Sequence, residues 1–221
     1  MKLSIAWKSV ILVALILIFD QILKIWIKTN MYYGQSFPVF GDWFLIHFVE
    51  NPGMAFGWKF GGQAGKMFLS IFRIAAIAVF IWVLRNLIRD KAPQGFILCI
   101  SLILAGAIGN MIDCAFYGLI FDTGLTFNVE RGAYNTYYEG ISQFSSDGYA
   151  TFLHGCVVDM LSFPILRGTF PAWLPFKGGD PFIFFSPIFN IADSAVTTGT
   201  LSIVIFYWKY LKKIGNHQDA N

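Results

Sequence analysis

Four stretches of the chain are apolar with little interruption, at about 9–28, 67–84, 96–112 and 188–207. A helix needs about 20 apolar residues to cross the hydrocarbon core of a bilayer. Each stretch is therefore predicted as a membrane-spanning helix. The first does not read as a cleaved signal peptide, because its apolar run continues past Asp20 to Ile27 and no small-x-small site follows. The connections differ from one another. Residues 37–60 alternate in part and carry Phe37, Phe40, Trp43, Phe44, Phe48, Phe56, Trp58 and Phe60, a pattern of short strands near the headgroups. Residues 163–187 combine Pro164, Pro171, Pro175, Pro181 and Pro187 with Phe and Trp. Proline breaks helices and aromatic rings favour the interface, so this segment is expected to lie along the membrane surface. Residues 122–150 are rich in Gly, Ser, Asn and Tyr and read as a loose exposed insertion, within an insertion of about 119–153. There is no internal repeat.

Composition agrees with the pattern. Of 221 residues, 56% are hydrophobic, 18% aromatic and 13% charged, and the mean hydropathy is +0.60. A soluble domain carries about twice that share of charge. A soluble enzyme, a nucleic-acid-binding domain and a disordered chain are thereby set aside, and one integral membrane domain over 1–221 is expected. The three cysteines (Cys99, Cys114, Cys156) form neither a disulfide framework nor a metal spacing.

The net charge of +3 matters less than where the charges fall. Lys2 and Lys8 precede the first span. Arg85, Arg89 and Lys91 fill the link between the second and third spans, and Lys209, Lys212 and Lys213 follow the fourth. The long connections, 29–66 and 113–187, are far poorer in basic residues. The positive-inside rule then puts both termini and the 85–95 link in the cytoplasm and the long connections outside. Of thirteen acids, only Asp90 and Asp219 fall on the cytoplasmic side.

An ionisable group within a span is costly unless it is paired or faces water, and by default it marks function. Asp20 and Lys24 are four apart on one helix face and are placed to pair, either as a structural ion pair or in contact with a substrate. Asn51-Pro52-Gly53 is turn chemistry, so Asn51 is either a turn residue or an amide that binds a peptide backbone, with Gly53 letting backbone come close. Ala105 and Gly109 give a small-xxx-small spacing for tight helix packing. Asn110 and Asp113 project near one face, as interhelical glue or as part of a site. Asp159 follows Val157 and Val158 in the second outer connection. Asp193 is placed one turn inside the fourth span, with Asn190 three positions earlier on the same face. A cap explains Asp193 poorly at that depth.

Two carboxylates brought together at a membrane surface suit peptide hydrolysis. Close like charges cannot both ionise, so the pair shares one proton. The charged member takes a proton from water, and the protonated one hydrogen-bonds the scissile carbonyl. His47, His154 and His217 have no metal spacing, and Cys156 has no obvious partner base. Sequence spacing does not establish that Asp159 and Asp193 converge.

The ordered set Asp20-x-x-x-Lys24, Asn51-x-Gly53-x-Ala55-Phe56-Gly57, Gly106-x-x-Gly109-Asn110-x-x-Asp113, Val158-Asp159 and Phe189-Asn190-x-Ala192-Asp193-Ser194 resembles the bacterial lipoprotein signal peptidase (signal peptidase II) family across all four spans. The resemblance implies a mainly α fold: a four-transmembrane-helix bundle with a small extracytoplasmic β-sheet cradle and an interfacial surface segment. It implies a membrane aspartyl endopeptidase that removes the signal peptide from prolipoproteins just before a diacylglyceryl-modified cysteine. Asp159 and Asp193 match the catalytic pair. Asn51, Gly53, Gly109, Asn110, Asp113, Asn190, Ala192, Asp20 and Lys24 match substrate-binding or supporting positions, and the 37–60 region matches the cradle. No metal or other cofactor is implied. The expected partners are lipid-modified prolipoproteins and membrane phospholipid, with no nucleic acid, and one chain supplies both carboxylates, so a monomer suffices. The expected location is the bacterial cell (inner) membrane, with both termini cytoplasmic and the site at the outer face.

Two features depart from the family pattern. Cys114 stands where an arginine usually follows Asp113, leaving Arg131 or Arg167 as candidate substitutes. About 30 extra residues separate Tyr117-Gly118 from His154, as a lid, a partner-binding loop or neutral decoration. The competing reading is a small polytopic transporter or scaffold that uses intramembrane carboxylates. The missing inverted repeat and the gathering of acids at one face count against it.

Overall fold

The structure, a computed structural model, describes residues 3–53, 62–184 and 187–218. The predicted aromatic positions Phe56, Trp58 and Phe60, and the motif residues Ala55, Phe56 and Gly57, lie outside the described residues.

The apolar stretches are helical, as their periodicity requires. Helix α1 (Ile5–Asn30) starts at Ser4, whose side chain accepts from Trp7 N at 3.3 Å. Helix α2 is Gly62–Arg89, and α3 (Gln94–Ile112) runs on through a π-helical turn (Asp113–Tyr117) and a last helical turn (Gly118–Ile120). The stretches Ile5–Asn30, Ala64–Arg89 and Gln94–Ile120 are each long and apolar enough to cross a membrane. Helix α4 (Ile191–Phe206) is apolar but has 16 residues. It spans about 24 Å at the usual rise, short of the roughly 30 Å hydrocarbon core. Helix α5 (Trp208–Gln218) follows directly. The span predicted at 188–207 is thus trimmed at its N-terminal end, because Ile188–Phe189 is a strand and Asn190 a cap.

The outward faces of α1 and α2 are unlike those of a water-soluble bundle. Trp7, Ile18, Phe19, Ile22, Phe68, Phe72 and Trp82 are all exposed, as lipid-facing positions are. Helix α3 is the buried one and packs against α1, α2 and α4. Small residues permit that packing. A Cβ on Gly106 would lie 2.2 Å from Ala192 O, and one on Gly109 would lie 2.9 Å from an Asp20 carboxylate oxygen and 3.0 Å from Ala192 Cβ. The close approach expected from Ala105 and Gly109 therefore falls at Gly106 and Gly109, against the first turn of α4.

A four-stranded antiparallel sheet caps the bundle. Its strands are β1 (Ser36–Phe40), β2 (Phe44–Asn51), β5 (Val157–Ser162) and β8 (Ile188–Phe189), in that spatial order. The partial alternation over 37–60 predicted short strands, and β1 and β2 lie in its described part. The insertion adds a two-stranded ribbon of β3 (Phe127–Asn128) and β4 (Ala133–Tyr134), and β6 (Leu166–Thr169) pairs with β7 (Pro181–Phe184). Val49 pairs with Asp159 and Leu161 with Phe189. Strand β5 thus delivers Asp159 beside the point where β8 turns into α4. Ile27, Met31, Phe48, Tyr117, Phe121, Val158 and Met160 form one buried cluster that joins the sheet to α1 and α3.

The insertion is not loose. Phe121, Leu125, Ser142 and Leu153 are buried. Asp122 accepts from Gln143 N at 2.8 Å, and Tyr149 OH accepts from Cys156 N at 2.8 Å. The exposure that polar composition suggested holds for 129–132, 136–137 and 146–148, while Tyr138 and Tyr149 turn inward onto Lys28.

Candidate active site

Most of the expected site residues come together: Asp20 and Lys24 of α1, Gly109 and Asn110 of α3, Asp113 of the π-helical turn, Asp159 of β5, and Asn190, Ala192 and Asp193 at the start of α4. In α1, Lys24 bridges two carboxylates, Asp20 and Asp113, each at 2.8 Å, with all three side chains buried. Its ammonium also donates to Asn110 Oδ1 at 3.0 Å. The i, i+4 pairing expected of Asp20 and Lys24 is present, and Asp113 is the second acid in it. Gln21, one residue along, donates to Asp113 Oδ1 at 2.9 Å and accepts from Tyr117 OH at 3.1 Å. The other Asp20 oxygen accepts from Ala192 N at 2.9 Å, which ties α1 to the start of α4.

The start of α4 is a capping box. Asn190 Oδ1 accepts from Asp193 N at 2.8 Å, and an Asp193 carboxylate oxygen accepts from Asn190 N at 3.4 Å. Asp193 therefore does cap its helix. The sequence reading placed it a turn too deep, because strand β8 takes the residues assigned to the first turn. Its other oxygen accepts from Asn110 Nδ2 at 2.7 Å.

Asn190 joins the two proposed catalytic acids. Its fully buried amide donates to Asp159 Oδ1 at 2.7 Å, to Asn110 Oδ1 at 3.0 Å and to Val158 O at 3.3 Å. Asp159 and Asp193 are thus held on either side of one asparagine, with Asn110 bridging from Asp193 to Lys24. Asp159 is buried, whereas Asp193 and Asn110 are half-buried and form the accessible edge. Burial raises the Asp159 carboxyl to about 8, and the negative charge of Asp193 adds to the shift, while Lys24 and the Asn190 hydrogen bond oppose it. Asp159 is accordingly protonated at neutral pH.

Asn51 ends β2, and its Oδ1 accepts from Gly53 N at 2.9 Å, an Asx turn; Gly53 takes φ +95°. The turn reading of Asn51 is present in the structure. Gly109 and Ala192 are the small residues that let α3, α1 and α4 meet at the cluster.

Several residues around the site were not singled out from sequence. Lys28 forms a buried ion pair with Glu50, and also donates to Thr123 O at 2.8 Å. Its ammonium lies 5.1–5.4 Å from the ring centroids of Phe121, Tyr138 and Tyr149. Glu50 also accepts from Leu125 N at 2.9 Å and Tyr138 OH at 3.0 Å. Arg73, on α2, donates to Cys114 Sγ at 3.0 Å. Of the two candidates for the missing guanidinium, Arg131 sits exposed in the insertion and the side chain of Arg167 lies outside the described residues; the guanidinium seen beside Cys114 is that of Arg73. The available signal for Lys28 and Arg73 was the cost of a charge within an apolar stretch. Among the described residues, no group of three or more His, Cys, Asp or Glu is placed to hold a metal.

Comparison with known proteins points in one direction. The family model described as Signal peptidase (SPase) II matches residues 12–209. A lipoprotein signal peptidase of Porphyromonas gingivalis is 47% identical over 199 residues, covering 89% of this chain and 80% of that protein. One of Amoebophilus asiaticus is 34% identical over 202 residues, covering 90% and 77%. A solved structure described as a bacterial membrane enzyme, obtained by the in meso method at 2.3 Å, superposes with a TM-score of 0.55 at 26% identity. It covers 95% of this chain and 90% of that one.

Proposed function

The chain belongs to the signal peptidase II family, and from that membership we propose that it removes signal peptides from diacylglyceryl-modified prolipoproteins as an aspartic endopeptidase, cutting just before the lipidated cysteine. The chain is a membrane protein and a protease by family and by its three long apolar helices. The observation that carries the aspartic mechanism is the junction of Asp159 and Asp193 through Asn190 and Asn110.

The two acids occupy different settings, which assigns their roles. Asp193 accepts from Asn110 Nδ2 and from the backbone N–H of the cap residue Asn190, and it stands in the first turn of α4, where a helix favours negative charge. It is the base that takes a proton from the attacking water. Asp159, buried and protonated, donates to the scissile carbonyl and stabilises the charge that develops there. When the tetrahedral intermediate collapses, the proton gained by Asp193 passes to the leaving nitrogen. Asn190 and Asn110 hold the pair, and Lys24 offsets the two acids behind it.

The rest of the reading concerns placement. Four helices cross the membrane, α4 being continued by α5. Both termini are cytoplasmic, as the basic residues at 2, 8, 85, 89, 91, 209, 212 and 213 suggest. The sheet and site lie at the outer face of the bacterial inner membrane, where a lipidated signal peptide arrives sideways from the bilayer. One chain suffices, and no nucleic acid takes part. Incubation of the purified protein with lipidated and unlipidated forms of one prolipoprotein tests this. Mass spectrometry is expected to find cleavage before the lipidated cysteine only. Equal cleavage of both forms, or of neither, contradicts the reading.

A further inference from the structure

Among the described residues Arg73 has no counter-charge. It lies eleven residues into α2, about 16 Å along the helix from Gly62, inside the stretch that crosses the membrane. Asp20, at the site, lies at a similar distance from the outer end of α1. Among the described residues, which include every acid but Asp219, no carboxylate is within ion-pair distance of Arg73. Its one hydrogen-bond partner there is the sulfur of Cys114, a weak acceptor. A guanidinium has five N–H donors, so most of those on Arg73 have no acceptor among the described residues. The side chain is half-buried, and the neighbouring helix face closes on the site. Ser70 donates to Leu153 O at 3.1 Å, and Met67 and Ile77 pack on Cys114, Met111 and Val157.

The guanidinium stands between two parts of the candidate site. On one side is Cys114, directly after Asp113 in the π-helical turn. On the other is the Asn51-Pro52-Gly53 turn, where a Cβ on Gly53 would lie 4.0 Å from Arg73 Nη1. π-Helical turns are uncommon and recur at functional sites. An arginine held at membrane depth, beside the catalytic cluster and short of acceptors, fits a ligand that brings oxygen atoms.

We infer that Arg73 binds substrate, its guanidinium donating to carbonyl oxygens of the lipidated precursor beside the scissile bond. This rests on the peptidase reading above. A diacylglyceryl-cysteine peptide offers two kinds of carbonyl at this depth, the glyceride esters and the peptide backbone. A phospholipid phosphate belongs nearer the helix ends than Arg73 stands.

The test compares wild type, Arg73→Gln, Arg73→Lys and Arg73→Gln/Cys114→Arg on a diacylglyceryl-modified precursor peptide, with kcat and KM separated and melting followed in detergent. Arg73→Gln is expected to raise KM about ten- to a hundredfold, the worth of charge-assisted hydrogen bonds, with kcat little changed. Arg73→Lys is expected to fall between, since an ammonium keeps the charge but loses the fork. Arginine at 114 returns a guanidinium to the space Arg73 reaches, so the double variant is expected to recover most of the loss. An ether-linked substrate separates the two sources. If the esters are the acceptors, wild type loses its advantage over Arg73→Gln on it; if backbone carbonyls are, the advantage remains. Should Arg73→Gln fail to fold, Arg73→Lys carries the same comparison. An unchanged KM overturns the inference, as does a loss in a well-folded variant that arginine at 114 does not repair. If wild type itself leaves the lipidated precursor uncut, it is the proposed function that falls.

Discussion

Lys24 sets the charge balance of the site. It is fully buried between Asp20 and Asp113 and reaches Asn110, so its loss leaves two acids facing each other without a cation. Breaking a buried ion pair from one side costs about 3–5 kcal/mol. Lys24→Met is therefore expected to lower the melting temperature in detergent markedly and to reduce cleavage. An unchanged melting temperature would show that the acids are paired elsewhere. Asp159 makes a separate pH prediction. Its folded value of about 8 lies above the roughly 3.9 of a free aspartate, so the folded protein binds the extra proton between those values. Stability from this group is highest at low pH and declines as pH rises through that window. Cleavage is expected to fall as pH passes about 8, when the dyad loses its shared proton, and a kcat/KM profile that stays flat to pH 10 would remove the assignment. The groups around Asp159 that set this value are Asp193, Lys24 and Asp113.

At the scale of elements, the insertion is a working part of the fold. Thr123, Leu125, Tyr138 and Tyr149 surround the Lys28–Glu50 pair, and Glu50 is the residue before Asn51 on the strand that pairs with Asp159. Deleting 123–149 strips that pair of these partners and of the residues that cover it. The expected outcome is a lower melting temperature together with reduced cleavage, checked on the purified variant against wild type. Helix packing makes a sharper case at Gly106. A side chain there meets the Ala192 carbonyl, so Gly106→Val is expected to separate α3 from α4 and abolish both folding and activity. Much of this was legible in the residues. The helical stretches followed from apolar runs, the first strands from alternation, and the Asp20–Lys24 pair from a spacing of four. The packed part of the insertion was missed because Tyr138 and Tyr149, which turn inward, look no different in sequence from the exposed Tyr137. Asp193 was placed too deep because a two-residue strand carries too little pattern to separate it from a helix. Arg73 went unseen because its partner is 41 positions away, and nothing local links α2 to Cys114.

For the whole molecule, charge is scarce and unevenly placed. That asymmetry predicts a topology that thiol labelling can read, because Cys99, Cys114 and Cys156 are buried. In spheroplasts, an impermeant thiol reagent is expected to label Ser146→Cys, in the exposed part of the insertion, and to reach Asp90→Cys only after lysis. The opposite result would invert the orientation. The assembly as a whole holds an acid on a sheet strand and an acid at a helix start on either side of Asn190, the cap of that helix, while α3 brings Asn110 to Asp193. Helices α1 and α3, strand β5 and the start of α4 supply the hydrogen bonds around Asp159 and Asp193. The most direct measurement is therefore the rate of cleavage of a diacylglyceryl-modified prolipoprotein by purified wild type, Asp159→Asn and Asp193→Asn, each with its melting curve. The prediction is cleavage before the lipidated cysteine by wild type and a loss of at least about a hundredfold in either variant, with folding retained. Wild-type rates in either asparagine variant would contradict it.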